Sequence, residues 1–152
     1  MSSNLDVYRA YFEAARANPP SSMVEAAESY LSDNFQILDI DGNVQMNKEA
    51  YLGMIQLLTS AFTDFETVVS DTREESDSVI VRSHFEGTHA GDLDLTAFGM
   101  GVIPASGKRI VWPEASTKWG FDGDKIASIR ANDDAGGLGP FLAALGVTPP
   151  SA

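Results

Sequence analysis

The chain has 152 residues, 43% of them hydrophobic, with 10 Lys+Arg against 22 Asp+Glu and a formal net charge of −12 with histidine neutral. That length suits one domain around a single core, and the composition excludes a disordered or fibrous chain. The acidic excess repels phosphate backbones and anionic bilayers, so no nucleic-acid or membrane partner is expected, and zero cysteines exclude disulfides, thiol nucleophiles and cysteine metal sites.

The first residues, Met1-Ser2-Ser3-Asn4-Leu5-Asp6, carry no basic region followed by an apolar run. No apolar stretch approaches the ~20 residues needed to span a bilayer, so a cytoplasmic protein is the expectation. Leu5, Tyr8, Phe12 and Ala15 recur at helical spacing and predict an amphipathic helix starting near Ser3 or Asn4. Asn18-Pro19-Pro20 stops it, because proline cannot continue a helix. Ser21 or Ser22 can cap a second helix running to about Leu31, with Met23, Ala27, Tyr30 and Leu31 on its apolar side. A short strand over residues 35–40 and a turn at Asp41-Gly42-Asn43 precede a third helix over 47–61, striped by Tyr51, Met54, Ile55 and Leu58.

Beyond Phe62 the period changes from helical to alternating. Residues 65–73, 78–88, 109–121 and 125–131 are rich in β-branched and aromatic side chains and predict strands. Asp122-Gly123-Asp124 reads as a tight turn that makes the last two antiparallel neighbours. The glycine-rich segment 91–107 has no clean period and is the candidate for a loop over a pocket mouth. Helices first and antiparallel strands afterwards predict one α+β domain over residues 1–152.

Several short motifs fall in a fixed order in the second half. They are Phe85-Glu86-Gly87-Thr88-His89-Ala90-Gly91, Ile103-Pro104-Ala105-Ser106-Gly107-Lys108, Phe121-Asp122-Gly123-Asp124-Lys125-Ile126, Gly136-Gly137-Leu138 and Leu145-Gly146. None is specific alone, but their joint order and spacing resembles the SnoaL-like polyketide cyclase (ester cyclase) group of the NTF2-like superfamily. The resemblance implies a cone in which three N-terminal helices pack on a curved antiparallel β-sheet and enclose an apolar pocket. It also implies a homodimer.

In those cyclases an acidic residue six positions after the lysine of this last turn serves as general acid/base. It removes a proton alpha to a carbonyl and returns one during an intramolecular aldol closure, which calls for a carboxylate of raised pKa in an apolar cavity. Carried over residue by residue, the acid falls on Ala131 and the histidine two residues before it on Ile129. A glutamine and a histidine of the preceding strand fall on Ala115 and Thr117, and an asparagine of the first strand on Ile37. A methyl group moves no proton, so that mechanism does not transfer to this chain.

The apolar rows Ala115, Thr117, Trp119, Phe121 and Ala127, Ile129, Ala131 should face the core or a greasy pocket. A slip of one residue would instead present Ser116, Lys118, Arg130 and Asn132. His89 is either a base near the pocket mouth or a framework residue that pins the loop between Gly87 and Gly91. His84 is read as an exposed residue of the same strand, on the face opposite His89, so the pair forms no metal site by itself. Asp92 with Asp94 could act as paired carboxylates but read more simply as solvated loop acids, as do Asp133 and Asp134, although Asn132 and Asp133 are the nearest polar substitutes for the missing acid. The pocket-lining set is therefore Ile37, Ala115, Thr117, Trp119, Ile129 and Ala131, with His89, Thr117 and Asn132 as the candidate catalytic groups and no cofactor or metal. The expected ligand is a small, largely apolar, polyketide-like or cyclic molecule. It would be cyclised or isomerised by shape and preorganisation, or merely bound. In a third reading the cone serves chiefly for dimerisation.

Overall fold

A computed structural model describes residues 3–18, 21–96 and 101–133. Gly99, Asp134, the Gly136-Gly137-Leu138 and Leu145-Gly146 motifs, and the proline pair that was expected to stop the first helix lie outside the described residues.

Three helices form where the apolar stripes and caps demand them. Helix α1 (Asn4–Arg16) starts at Ser3, whose hydroxyl accepts the Asp6 amide while the Asp6 carboxylate accepts the Ser3 amide. Helix α2 (Ser21–Tyr30) is tied back to α1 by Ser22, whose hydroxyl donates to the Ala15 carbonyl and accepts the Asn18 amide at 3.0 Å. Helix α3 (Lys48–Ala61) is capped by Asn47, whose side-chain oxygen accepts the Ala50 amide at 2.9 Å.

The strands are β1 (Leu31–Leu38), β2 (Val44–Asn47), β3 (Phe62–Glu74), β4 (Ser78–His89), β5 (Leu93–Asp94), β6 (Val102–Ile103), β7 (Arg109–Val111), β8 (Ala115–Asp122) and β9 (Lys125–Ala131). The main sheet runs β2-β1-β9-β8-β4-β3, with β7 on β4 as well. Its pairs are antiparallel except β1 with β9, which are parallel with Ile37 opposite Ile129. The three helices and this curved, mixed sheet make the α+β cone, one ladder of which joins residues some ninety positions apart.

Three boundaries differ from the sequence expectation. The first strand begins at Leu31, directly after α2, and ends at Leu38, where the Asp39 carboxylate accepts the amides of Asp41 and Asn43 and closes the turn early. The expected strand over 109–121 is two strands broken at Trp112-Pro113-Glu114. Trp112 still donates to the Phe85 carbonyl at 2.9 Å, but Pro113 has no amide proton to continue the ladder. Segment 91–107 is not a plain loop. It holds the β5–β6 ribbon, and Leu93 and Leu95 are buried beside Leu58 and Ala61 of α3.

The core falls into two clusters, one around Tyr8, Tyr11, Phe35, Ile55 and Trp119, the other around Met54, Leu58, Phe62, Phe65 and Trp112. Met23, Ile37 and Tyr51 pack against both. Among the described residues no helix is long and apolar enough to cross a membrane.

Candidate functional site: an apolar cavity with a phenolic pole

Where the two clusters meet, helices and sheet leave a cavity of about 410 Å³, partly open to solvent. The sheet contributes Ile37, Thr117, Trp119 and Ile129, and the helices contribute Tyr8, Tyr11, Tyr51, Met54 and Leu58. Trp112, Phe65 and Phe85 continue the aromatic wall. Such a volume, mostly apolar with a few polar groups, is that of a small-molecule site.

The β8–β9 ladder fixes which side chains share a face. Thr117 pairs with Ala131 and Trp119 with Ile129, and facing residues of an antiparallel pair point the same way. Ile37, Ala115, Thr117, Trp119 and Ile129 all border the cavity. Ala131 is only 5% exposed but does not border it. Its neighbour Asn132 is exposed on the other face, where its side-chain amide donates to the Ser116 hydroxyl at 3.1 Å. Asn132 is therefore placed away from the cavity, because successive residues of a strand alternate faces.

His89 also lies away from it. Its ring stacks on Phe62 with centroids 4.7 Å apart, and the residue is 2% exposed. Its backbone amide donates to the Lys108 carbonyl at 2.9 Å and its carbonyl accepts from the Gly107 amide at 2.8 Å, so it ties strand β4 to the segment entering β7. His84 is half-buried rather than exposed, with Nε2 2.8 Å from Glu86 Oε2. Residues 83–85 border the cavity, but Phe85 packs inward on Phe65 and Trp112, so alternation turns the His84 ring, paired with Glu86, to the convex face of the sheet.

On that face Arg109 reaches Asp64 at 2.7 Å and Glu86 at 2.6 Å, and Arg82 pairs with Glu114. The hydrogen bond from His84, then that from Arg109, holds the Glu86 carboxyl below the usual carboxylate range. The Thr88 amide, then Arg109, does the same for Asp64. Of the loop acids, Asp92 accepts the Ala105 amide, Asp94 accepts the Thr96 amide and hydroxyl, and Asp133 accepts the Ser116 amide. These carboxylates close turns and strand ends; none borders the cavity.

The polar groups that do border it include three that no sequence motif singles out. Tyr8 and Tyr11, three residues apart on α1, and Tyr51 on α3 come together at one end. Tyr8 and Tyr11 lean on Trp119 with centroids 4.8 Å and 5.8 Å away, and Tyr51 packs on Phe35 at 5.3 Å. Burial pushes the Tyr8 phenol up, helped by Tyr51. It pushes Tyr11 up most, helped by the charge and hydrogen bond of Tyr51, while the same bond partly offsets the rise at Tyr51. All three are neutral phenols near pH 7. Tyr8 and Tyr51 belong to the apolar stripes of their helices, Tyr11 lies outside the stripe read from the sequence, and only the packing brings all three to one cavity. Arg16 also borders the cavity, its guanidinium 5.4 Å from the centroid of the Phe12 ring.

A cone of three helices on a curved sheet, enclosing an apolar pocket, is the NTF2-like architecture. The SnoaL-like polyketide cyclase pattern matches residues 5–139, and the chain belongs to that family. Solved structures agree on the fold. A proposed SnoaL-like polyketide cyclase from Jannaschia sp. CCS1 superposes with a TM-score of 0.67 at 18% identity, covering 96% of this chain and 93% of its own. AclR, a proposed hydroxylase from Streptomyces galilaeus, gives 0.67 at 19% identity over 95% and 98%. IdmH, a proposed polyketide cyclase from Streptomyces antibioticus, gives 0.65 at 19% over 96% and 100%. Comparison with curated protein sequences gave no match.

Proposed function

We propose that the cone binds a small, largely apolar, cyclic or polyketide-like molecule, and that any reaction there proceeds without the carboxylate acid/base of the family. The observation that carries this reading is the cavity itself: about 410 Å³, walled largely by aromatic and aliphatic side chains, with Thr117 facing Ala131 and Trp119 facing Ile129 on the adjoining ladder, none of them a carboxylate. A collapsed interior would have favoured a purely structural cone. A cyclisation or isomerisation here would rely on holding the substrate in a reactive shape against Trp119 and Trp112. The alternative is a binding module that turns nothing over. Fold likeness does not choose between them, since a proposed cyclase and a proposed hydroxylase superpose equally well on this chain.

The test is a titration with 2-ethylnaphthalene, a flat hydrocarbon, followed by tryptophan emission and by the melting temperature. Binding should change the emission and raise the melting point as ligand selectively stabilises the folded chain. Trp119→Phe should weaken the binding. Absence of any response up to the solubility of the probe would remove the ligand-binding reading.

A second copy of the chain is the proposed macromolecular partner, packed on the convex face of the sheet. Val111 there is 58% exposed beside the half-buried His84–Glu86 pair. Light scattering should give twice the 16.3 kDa chain mass, and a monomer at high micromolar concentration would contradict it.

A further inference from the structure

The phenol groups at one end of the cavity answer a question that its apolar walls leave open, namely what orients a ligand inside it. We infer that Tyr11 and Tyr51, with Tyr8 beside them, form a hydrogen-bonding pole that receives a carbonyl or enol oxygen of the ligand. This inference rests on the cavity being a ligand site.

Three observations carry it. First, the phenols come from two helices, α1 and α3, and border the same cavity, and the Tyr8 and Tyr11 rings both pack on Trp119 of its wall. Second, the Thr117 hydroxyl, which also borders the cavity, is already committed. Thr117 Oγ1 accepts the Trp119 indole N–H at 2.9 Å and donates to the Val81 carbonyl at 3.3 Å. Third, a phenol carries both a donor O–H and an acceptor oxygen, so Tyr11 and Tyr51 can engage one another and still offer a hydrogen bond to a further partner in the cavity. Burial keeps these phenols protonated at neutral pH, so they act as donors and not as bases.

The ligand chemistry follows. A neutral donor chain in an apolar enclosure best satisfies an uncharged or partly charged oxygen acceptor, as in a ketone, a quinone-like ring or an enolate. A pure hydrocarbon would leave the phenols without that partner, and a carboxylate would lose its hydration with only neutral donors in return. Such a pole would also stabilise negative charge on the carbonyl oxygen of a bound ketone.

The experiment uses two probes of the same shape, 2-acetylnaphthalene and 2-isopropenylnaphthalene, which differ in carrying a carbonyl oxygen or a methylene. Tryptophan quenching gives the dissociation constants with the wild type, Tyr51→Phe and Tyr11→Phe. The ketone should lose roughly two- to tenfold in affinity in each variant, the range of one neutral hydrogen bond, while the hydrocarbon is unaffected. Difference infrared spectra should show the bound ketone stretch shifted to lower frequency in the wild type and back towards its apolar-solvent position in Tyr51→Phe. Equal binding of the ketone by the wild type and Tyr51→Phe, or an unshifted stretch in the wild type alone, would overturn the inference. The wild-type spectrum decides the matter even where a variant does not fold. Binding of the hydrocarbon without any tyrosine dependence of the ketone leaves the cavity reading standing and removes the pole; no binding of either probe removes both.

Discussion

Thr117 and Ala131 face one another directly across the β8–β9 ladder, and Ala131 is 5% exposed. The position that family resemblance gives to a catalytic carboxylic acid is thus occupied by a buried methyl group beside a hydroxyl already engaged with an indole. Ala131→Asp should place a carboxyl where desolvation favours its neutral form and raises its folded pKa above the unfolded value of about 3.9. Below that value both states are protonated and the penalty is smallest. As pH rises, the unfolded chain ionises first, so the stability deficit grows until the raised folded pKa is passed. The deficit near neutral pH should be about 1–3 kcal/mol. Thermal melts from pH 4 to 8 check this, and a pH-independent difference would place position 131 in solvent.

Thr117→Val tests the hydroxyl itself. The substitution keeps the shape but leaves the Trp119 N–H without its acceptor in a residue 9% exposed. Denaturant unfolding should register a loss of about 1–3 kcal/mol. The Trp119 emission should change at the same time. An unchanged midpoint would mean that water or another group satisfies the indole.

Gly120 and Ser128 are opposite one another on the same ladder, and a Cβ on Gly120 would meet Ser128 Oγ at 2.6 Å. Gly120→Ala should therefore destabilise by about 1 kcal/mol, at the low end of overpacking costs. In a Ser128→Ala background the obstacle is gone. There the same change should stabilise by about 0.4–1 kcal/mol, because alanine restricts the unfolded chain. The prediction is a change of sign, read from a double-mutant cycle.

On the convex face, Glu86 is held below the usual carboxylate range by His84 and then Arg109. A lowered folded pKa contributes stability above the unfolded value, about 4.3 for glutamate, and loses it as pH falls through the folded one. Glu86→Gln should accordingly cost stability at pH 6 to 7, and the gap to wild type should close as the pH drops below about 4.3. Melts at low ionic strength between pH 3 and 7 measure it. A gap that widened in acid would reverse the assignment.

The helices, most of the strands and the apolar rows were legible in the sequence because each depends on neighbours a few positions away. Stripe spacing gave α1 and α3, and alternation gave Ala115, Thr117, Trp119 and Ile129 a common face, whichever way that face pointed. The break at Pro113 was equally local, yet it was read as a continuous strand because the flanking residues are all good strand formers.

What the tertiary structure decided concerns residues far apart in the chain. The parallel ladder between β1 and β9 brings Ile37 to Ile129, and no local pattern specifies a partner some ninety residues away. His89 was indistinguishable from a mouth-facing base until the ring was found stacked on Phe62. Tyr8 and Tyr51 belonged to two apolar stripes of ordinary appearance, and Tyr11 to neither. Whether a tyrosine in such a stripe is core filler or a donor aimed into a cavity depends on what the opposite wall leaves unfilled, and only the packed cone fixes that space.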